Sequence, residues 1–185
     1  MHANCRFLEI DGIRCEADAV TWSVNAAVQR NRVYCRESGR EAFREAWKEE
    51  LCKQTQRYAQ GTALSDSEHC KIIAGIADRL SLRFPEVLSR GRLRFGTSQK
   101  ALNLWLKYLW HFEKISEPPH CPFDGKILKA LKVYDAWTRC NDQGQYMSWV
   151  SSARKRADGL SLSKWECEEW LRRRLLTRAV QCHNK

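Results

Sequence analysis

The sequence predicts a mostly α-helical protein, a single-domain helical bundle that spans residues 1–185. Over most of the chain, apolar residues recur every three or four positions, which is the spacing of a helix with one buried face. Serine or aspartate precedes several of these segments and glycine or proline follows them, as is typical where helices begin and end. Since 43% of the residues are hydrophobic, the chain can bury one sizeable core.

Residues 1–16 are the one part for which the sequence predicts β-structure. Asp11 and Gly12 lie between two short apolar runs. An Asp-Gly pair is typical of the tight turn of a β-hairpin, because both central positions of that turn require positive φ. We therefore predict a small N-terminal β-hairpin, packed against helices because two strands alone are not stable in water.

The next helices follow from apolar periodicity and from a capping motif. One is predicted from about Asp18 and a second from Glu37 to Ala59. Ser65 and Glu68 form a capping box, in which each side chain accepts the backbone N–H of the other residue, and predict the start of a third helix. The basic connector from Ser89 to Gly96 leads to the central helix. A helix, a glycine-bearing turn and a second helix predict a helix-hairpin-helix element here.

The central helix is predicted from Thr97 to about Lys114 and is apolar over most of its circumference. Its polar positions share one narrow stripe, which we expect to face solvent or to line a cleft: Lys100, Asn103, Lys107, His111 and Lys114. Lys100 stands in the first turn, where the positive end of the helix disfavours an ammonium group. A neutral amine is a nucleophile that forms Schiff bases. The alternative is an ordinary surface lysine.

Asp124 follows two prolines and is placed to cap the next helix, a role that contributes about 1 kcal/mol. Pro122 and Phe123 fix its approach, and an ionised carboxylate there can accept a proton or stabilise positive charge. We therefore expect Lys100 and Asp124 to face each other across a cleft within the segment 97–135.

Two further helices complete the predicted bundle. Asp142 is expected to cap the first of them. Ser163 and Glu166 form a second capping box, which predicts the start of the final helix.

The charge balance predicts a polyanionic partner. Lysine and arginine number 32 against 22 aspartate and glutamate residues, a net charge of +10. A balance this basic favours nucleic acid over a membrane surface, although a basic surface kept for solubility is the alternative. No apolar run approaches the roughly 20 residues that span a bilayer, and the first residues lack the apolar core of a signal peptide. We expect a cytoplasmic protein without a membrane partner.

The nine cysteines do not predict a metal site or a disulfide framework. Their number is odd, their spacing is scattered, and no Cys-x-x-Cys pair occurs. We interpret most of them as small buried residues in a reducing compartment, and we predict no metal and no cofactor.

A glycine turn, a lysine at the start of an apolar helix and Pro-x-Asp ending 24 residues after that lysine resemble the helix-hairpin-helix DNA glycosylase superfamily. The likeness is greatest to the 8-oxoguanine DNA glycosylase branch. The run from Gln99 to Asp124, with Trp137-Thr138 and Trp165-Glu166, resembles small bacterial proteins of that fold. The chain departs from the family pattern in its glycines, because Gly91 and Gly96 are further apart than the two glycines of the family hairpin.

The resemblance implies a base-excising enzyme that acts on double-stranded DNA. In this superfamily the hairpin grips the DNA backbone and the damaged base is flipped into a pocket. Lys100 would attack the sugar carbon as the base leaves, and Asp124 would support the developing charge. The backbone contacts would come from the hairpin and the helix start: Arg92, Arg94, Gly96, Thr97 and Ser98, whose free N–H groups would cradle phosphate. Proximity suggests three aromatic residues for the base pocket: Trp105, Phe123 and Trp137.

Other functions remain open on the sequence alone. Lys107, one heptad after Lys100, is an alternative reactive amine. A nucleic-acid-binding module without catalysis would need only the charge and the basic runs 90–94, 154–156 and 172–174. Arg178 and His183 have the spacing of an α-helical ribonuclease site. The eight tryptophans would also suit an interaction protein, although their helical spacing favours the core.

Overall fold

A computed structural model describes residues 3–29, 31–59, 61 and 64–183, with side chains from residue 7 to residue 173. In this part of the chain eight α-helices form the fold and no residue lies in a β-sheet strand, which confirms the mostly α prediction. The helices are α1 Ala3–Asp11, α2 Glu16–Val28, α3 Arg40–Gln54, α4 Asp66–Arg83, α5 Phe95–His111, α6 Gly125–Ala130, α7 Gln143–Ala157 and α8 Leu162–His183. Short 3-10 turns occupy Thr55–Tyr58, Ser89–Gly91 and Trp137–Arg139. Within the described residues no helix has both the length and the apolar character needed to cross a bilayer.

The predicted N-terminal β-hairpin is wrong, because α1 occupies its place. Gly12 has a φ of 68°, as the hairpin turn requires, but this left-handed conformation ends a helix instead. The N–H of Gly12 donates to the carbonyl of Glu9 (3.2 Å) and that of Ile13 to the carbonyl of Leu8 (3.0 Å). These two bonds form a Schellman motif, in which glycine is the preferred residue after the last helical turn.

The central helix α5 is the element around which the fold is built. It packs against α1, α2, α3 and α4 and against the 3-10 turn Trp137–Arg139. Every residue from Phe95 to Leu109 is buried, so the helix has no solvent-facing side over that length. The polar stripe from Lys100 to His111, expected at a solvent edge or a cleft, therefore runs through the interior and needs polar partners there.

Three of the predicted helix starts are confirmed by their caps. The capping box of Ser65 and Glu68 begins α4. Asp124 accepts the N–H groups of the second and third residues of α6, and Asp142 does the same for α7.

The second predicted capping box, of Ser163 and Glu166, is wrong. The helix begins earlier, and Ser161 accepts the N–H of Lys164 (3.3 Å). The hydroxyl of Ser163 donates to the carbonyl of Pro118 (3.0 Å). Glu166 forms an ion pair with a lysine of α5, which is a stronger interaction than a cap.

Gly96 stands where α5 approaches the turn Trp137–Arg139 most closely. Its N–H donates to the carbonyl of Cys140 (2.9 Å). A Cβ at this position would lie 1.9 Å from the carbonyl oxygen of Trp137 and 2.9 Å from the Cβ of Cys140. Glycine is therefore required for backbone contact and not for an unusual φ.

We expect Gly96→Ala to lower the free energy of unfolding by about 1–3 kcal/mol, because the added methyl group meets backbone that must move. Urea-induced unfolding measures this loss. The matched control is Gly75→Ala within α4, where the nearest atom is the flexible end of Arg79. Alanine there should leave stability unchanged or raise it by up to about 1 kcal/mol. Equal stabilities of the two variants would contradict the close approach at Gly96.

Candidate functional site

The structure brings Lys100 and Asp124 together from two different elements. Lys100 was predicted in the first turn of its helix but lies in the second turn of α5, because the helix begins at Phe95 and not at Thr97. Asp124 caps α6, and Nζ of Lys100 lies 2.7 Å from Oδ2 of Asp124. The Lys100 side chain is 10% exposed and that of Asp124 is 27% exposed, so the pair is covered yet reachable at its aspartate end.

Asp124 makes two different kinds of bond through its two oxygens. Oδ1 accepts the N–H groups of Lys126 (2.9 Å) and Ile127 (3.1 Å), while Oδ2 faces Lys100. Burial by itself would favour the neutral acid, but the Lys100 ammonium and these donors hold the pKa of Asp124 below its usual value. The carboxylate is therefore ionised at neutral pH.

Gln99 fixes the backbone on which Asp124 stands. Its Nε2 donates to the carbonyl of Phe123 (2.6 Å), and its Oε1 accepts the N–H of the same residue (3.2 Å). Two consecutive residues of α5 thus hold two consecutive residues before α6. Nothing in the sequence indicated this clamp, because a glutamine beside a lysine is common in a helix.

Lys107, the alternative reactive amine, forms a second ion pair deeper in the core. Its Nζ donates to Oε2 of Glu166, and the two side chains are only 3% and 4% exposed. The ammonium also lies 3.9 Å from the ring centroid of Phe7 and 5.6 Å from that of Trp170, as in cation–π contacts. Burial opposes the charge, but Glu166 raises the pKa of Lys107 above its usual value. Lys107 is therefore a charged ammonium group buried in the protein interior.

Asn103 is the polar partner between these two lysines on the stripe. Its Oδ1 lies 2.8 Å from Nε2 of His69, and because an amide oxygen only accepts, Nε2 of His69 carries the proton. The other ring nitrogen of His69, Nδ1, therefore accepts from the Tyr58 hydroxyl (2.8 Å). Nδ2 of Asn103 donates to the carbonyl of Cys121 (2.9 Å) and to the hydroxyl of Tyr146 (3.0 Å).

The hydrogen-bond network continues from Tyr146 to the surface. The Tyr146 hydroxyl lies 2.8 Å from Nδ1 of His120, and Nε2 of His120 lies 3.1 Å from Oδ1 of Asp66. Asp66 in turn accepts two 2.7 Å bonds from Arg154, and this guanidinium lowers the pKa of Asp66. Every hydrogen bond in this network has one donor and one acceptor when His69 and His120 are both neutral.

Stability should therefore fall in mild acid. Burial, with repulsion from the contacting His120, lowers the pKa of His69 to about 3, while an unfolded histidine titrates near 6.5. Below about pH 6.5 the unfolded chain binds a proton that the folded His69 does not. Because of His69, the free energy of unfolding falls by about 1.4 kcal/mol for each pH unit below that value.

Urea unfolding of the protein and of His69→Gln from pH 7.5 to pH 4.5 measures this loss. We expect the variant to be less stable at pH 7.5 but to lose stability less steeply in acid. His111 and His120 still titrate in the variant, since burial lowers the pKa of each. Parallel curves for the two proteins would contradict a neutral buried His69.

The first turn of α5 uses its donors within the protein. The N–H of Gly96 donates to Cys140, and those of Thr97 and Ser98 both donate to the carbonyl of Arg94 (3.0 Å each). The hydroxyl of Ser98 also donates to a main-chain carbonyl (2.8 Å), and all three residues are buried. The function proposed below therefore does not use the predicted phosphate cradle at this turn.

Comparison of the chain with models of protein families, with curated proteins and with solved structures found no match.

The three aromatic residues predicted for a base pocket lie in different surroundings. Trp105 is 2% exposed and Phe123 is fully buried, so both pack the core instead of lining an open pocket. Trp137 is half-buried, and its indole nitrogen lies 3.9 Å from where a Cβ of Gly125 would stand, directly after Asp124. Of the three, Trp137 is the one that is not fully buried, and it lies next to Gly125, the residue after Asp124.

The predicted backbone-binding arginines lie at the N-terminal end of α5. Arg92 is exposed, and Arg94 is half-buried with its Nη1 donating to the carbonyl of Thr138 (2.6 Å). Both border a shallow groove that also includes Asn31 and Thr97. Arg178 and His183 of the predicted ribonuclease site lie outside the residues whose side chains the structure describes.

Proposed function

We propose that this chain binds DNA and acts on it as a DNA glycosylase with associated lyase activity. The observation that carries the proposal is the 2.7 Å contact between Nζ of Lys100 and Oδ2 of Asp124. An amine and an ionised carboxylate with little exposure, placed at one end of the central helix, are the two groups that nucleophilic excision of a base needs. The Gln99 clamp supports the proposal, since it holds the carboxylate at a fixed distance from the amine.

In the proposed reaction the target nucleotide is turned out of the duplex and presents C1′ of its deoxyribose to Lys100. The ammonium first loses a proton, for which the carboxylate of Asp124 is the nearest acceptor. Nζ then bonds to C1′ while the bond from C1′ to the base breaks, and that electron pair leaves with the base, which takes up a proton. Asp124 supplies the proton that the base takes up, and the carboxylate so restored faces the positive charge that develops on the sugar. Loss of a second Nζ proton gives a neutral aminal. The nitrogen lone pair then forms the C=N bond while the bond from C1′ to the ring oxygen breaks, and that oxygen takes up a proton, which leaves a protonated imine between Nζ and C1′.

DNA is the proposed partner because of charge and position. The chain carries a net charge of +10, and Arg92 and Arg94 stand on the connector that leads into α5. We propose that α4, this connector and α5 form the helix-hairpin-helix element that holds the DNA backbone. Lys100 lies six residues beyond Arg94, about 9 Å along the helix axis, so a strand held by the connector reaches the pair.

A nucleic-acid-binding module without catalysis is the second candidate. The specific observation in its favour is the engagement of Lys100, whose amine is paired with Asp124 and is only 10% exposed in its side chain. In that case the pair is structural and the arginines alone carry the function.

Borohydride trapping tests the proposal. The protein is incubated with labelled oligonucleotide duplexes that contain 8-oxoguanine, uracil or an abasic site, in the presence of sodium borohydride, which reduces the imine to a stable amine. We expect a covalent protein–DNA adduct and release of a free base from one modified duplex. Tight binding of all three duplexes without adduct or released base would overturn the enzyme and leave the binding module.

A further inference from the structure

A cavity of about 630 Å³ lies beside the N-terminal end of α5, where four arginines from distant parts of the chain meet. They are Arg32 after α2, Arg90 and Arg94 on the connector before α5, and Arg139 at the end of the turn Trp137–Arg139. The other described lining residues are asparagine and threonine, and none of them is acidic. Arg90 and Arg94 belong to the basic run 90–94 that the sequence analysis identified, whereas Arg32 and Arg139 join them only through the fold.

These four guanidinium groups differ from most other described arginines in having no carboxylate partner. Among the described residues, Arg14, Arg36, Arg79 and Arg154 each lie within 3.5 Å of a carboxylate oxygen. No carboxylate lies within ion-pair distance of the four cavity arginines in the same part of the chain. Like charges gathered around one cavity repel each other, so an anion bound there would stabilise the arrangement.

The backbone at Arg90 gives a second, independent indication. This residue has a φ of 61° and a ψ of 27°, which is the left-handed region that is unfavourable for a non-glycine residue. The following Gly91 has a φ of 68°, so the chain places glycine at one of the two left-handed positions and arginine at the other. A strained backbone that presents a charged side chain to a cavity points to a role for that side chain in binding.

The side chain of Arg94 is fixed in position by a hydrogen bond within the protein. Its Nη1 donates to the carbonyl of Thr138 (2.6 Å), which ties the connector to the turn on the far side of the cavity. The guanidinium has five N–H donors in a planar fork, so this bond leaves others for a ligand. A fixed guanidinium loses less conformational entropy on binding than a free one.

We propose that this cavity is a phosphate-binding site for the backbone of a nucleic-acid strand. Guanidinium groups bind phosphate oxygens through paired hydrogen bonds, and a cavity of about 630 Å³ has the volume of a small-molecule site, which admits a phosphate together with its sugar. The assignment deepens the proposed function, on which its choice of a nucleic-acid strand as ligand rests. Arg32, Arg90 and Arg139 thereby join Arg94 in holding DNA.

The test is binding of an undamaged, fluorescently labelled DNA duplex, followed by anisotropy over a series of salt concentrations. Arg90→Gly is the most informative variant, because it removes one guanidinium and relieves the left-handed strain. We expect its affinity to fall roughly five- to tenfold at 0.1 M salt, with the slope of log K against log salt smaller by about 0.9. Its urea midpoint should rise. Arg139→Gln should weaken binding similarly, and Arg57→Gln, an exposed arginine outside the cavity, is the charge-matched control.

Unchanged DNA affinity in both cavity variants relative to Arg57→Gln would overturn the proposal. Inorganic pyrophosphate serves as a second probe: if the protein binds pyrophosphate through these arginines but does not bind DNA, the strand assignment is overturned in favour of a free phosphate ligand. The outcome is separable from that of the glycosylase, because an undamaged duplex forms no adduct. Loss of DNA binding in the arginine variants, with no adduct formed by the wild-type protein on any modified duplex, would sustain this site and sink the catalytic proposal.

Discussion

Replacing Lys107 with methionine is expected to lower the free energy of unfolding by about 3–5 kcal/mol, the largest stability effect that the structure predicts. Methionine matches the length of the lysine stem but leaves the Glu166 carboxylate, 4% exposed, without its counter-charge. An uncompensated charge in the interior must either remain ionised at a high free-energy cost or take up a proton. The cation–π contacts with Phe7 and Trp170 are lost as well.

Two matched variants separate this pair from an ordinary salt bridge. Lys53→Met removes a lysine whose side chain is 62% exposed and whose Nζ lies 3.0 Å from Glu50, and it should cost less than about 1 kcal/mol. The double variant Lys107→Met, Glu166→Gln should recover part of the loss, because neutral groups replace both charges. Urea unfolding of all three at pH 7 measures the differences. A Lys107→Met protein as stable as Lys53→Met would contradict the sealed ion pair.

Replacing Lys100 with glutamine is expected to abolish the covalent adduct with DNA, the largest effect on activity. Glutamine keeps a hydrogen-bond donor for Asp124 but has no amine that can form an imine. Asp124→Asn is expected to slow adduct formation by about 10²- to 10³-fold while the fold persists, since asparagine also caps a helix N-terminus. Trapping rates on the most reactive duplex measure both effects.

Lys126 provides the control for these variants. It stands two residues after Asp124 on the same surface and is exposed. Lys126→Gln should therefore trap DNA at the wild-type rate. An adduct that persists in Lys100→Gln, or that disappears equally in Lys126→Gln, would remove Lys100 from the reaction.

The sequence predicts the helix starts well because their signals are local. Ser65, Asp124 and Asp142 each cap a helix through bonds to residues two or three positions ahead, and such spacing can be read from the chain. The prediction of a β-hairpin at Asp11 and Gly12 also relied on a local signal, and it was wrong because that signal fits two structures. Positive φ at Gly12 is compatible with a hairpin turn and with a helix end, and only the Schellman bonds to the helix decide between them.

The environment of the polar stripe could not be predicted from its spacing. Periodicity places Lys100 and Lys107 on one face of α5 but does not say what covers that face. The residues that do so, Asp124 and Glu166, come from later parts of the chain, and Glu166 has a capping motif that suggested a different role. Asp124 was found because its position after Pro-Pro is itself a signal.

The arginine-lined cavity could not be predicted from the sequence either, because its residues meet only in the folded protein. Arg32, Arg90 and Arg139 stand in three separate connections. The basic run 90–94 was visible in the sequence, but nothing indicated that Arg32 and Arg139 lie beside it. Their meeting depends on the contact of α5 with α2 and with the turn Trp137–Arg139, which is a property of the whole fold.

Mapping the trapped adduct shows which amine of the protein attacks the DNA. After borohydride reduction on an abasic-site duplex, nuclease and trypsin digestion should leave the sugar remnant on Lys100. Because trypsin does not cut after a modified lysine, the remnant should appear on the peptide spanning residues 95–107, with the site after Lys100 uncut. We expect this peptide in the wild-type digest and its absence from the digest of Lys100→Gln. A remnant on Lys126, on Lys107 or on any other amine would contradict it.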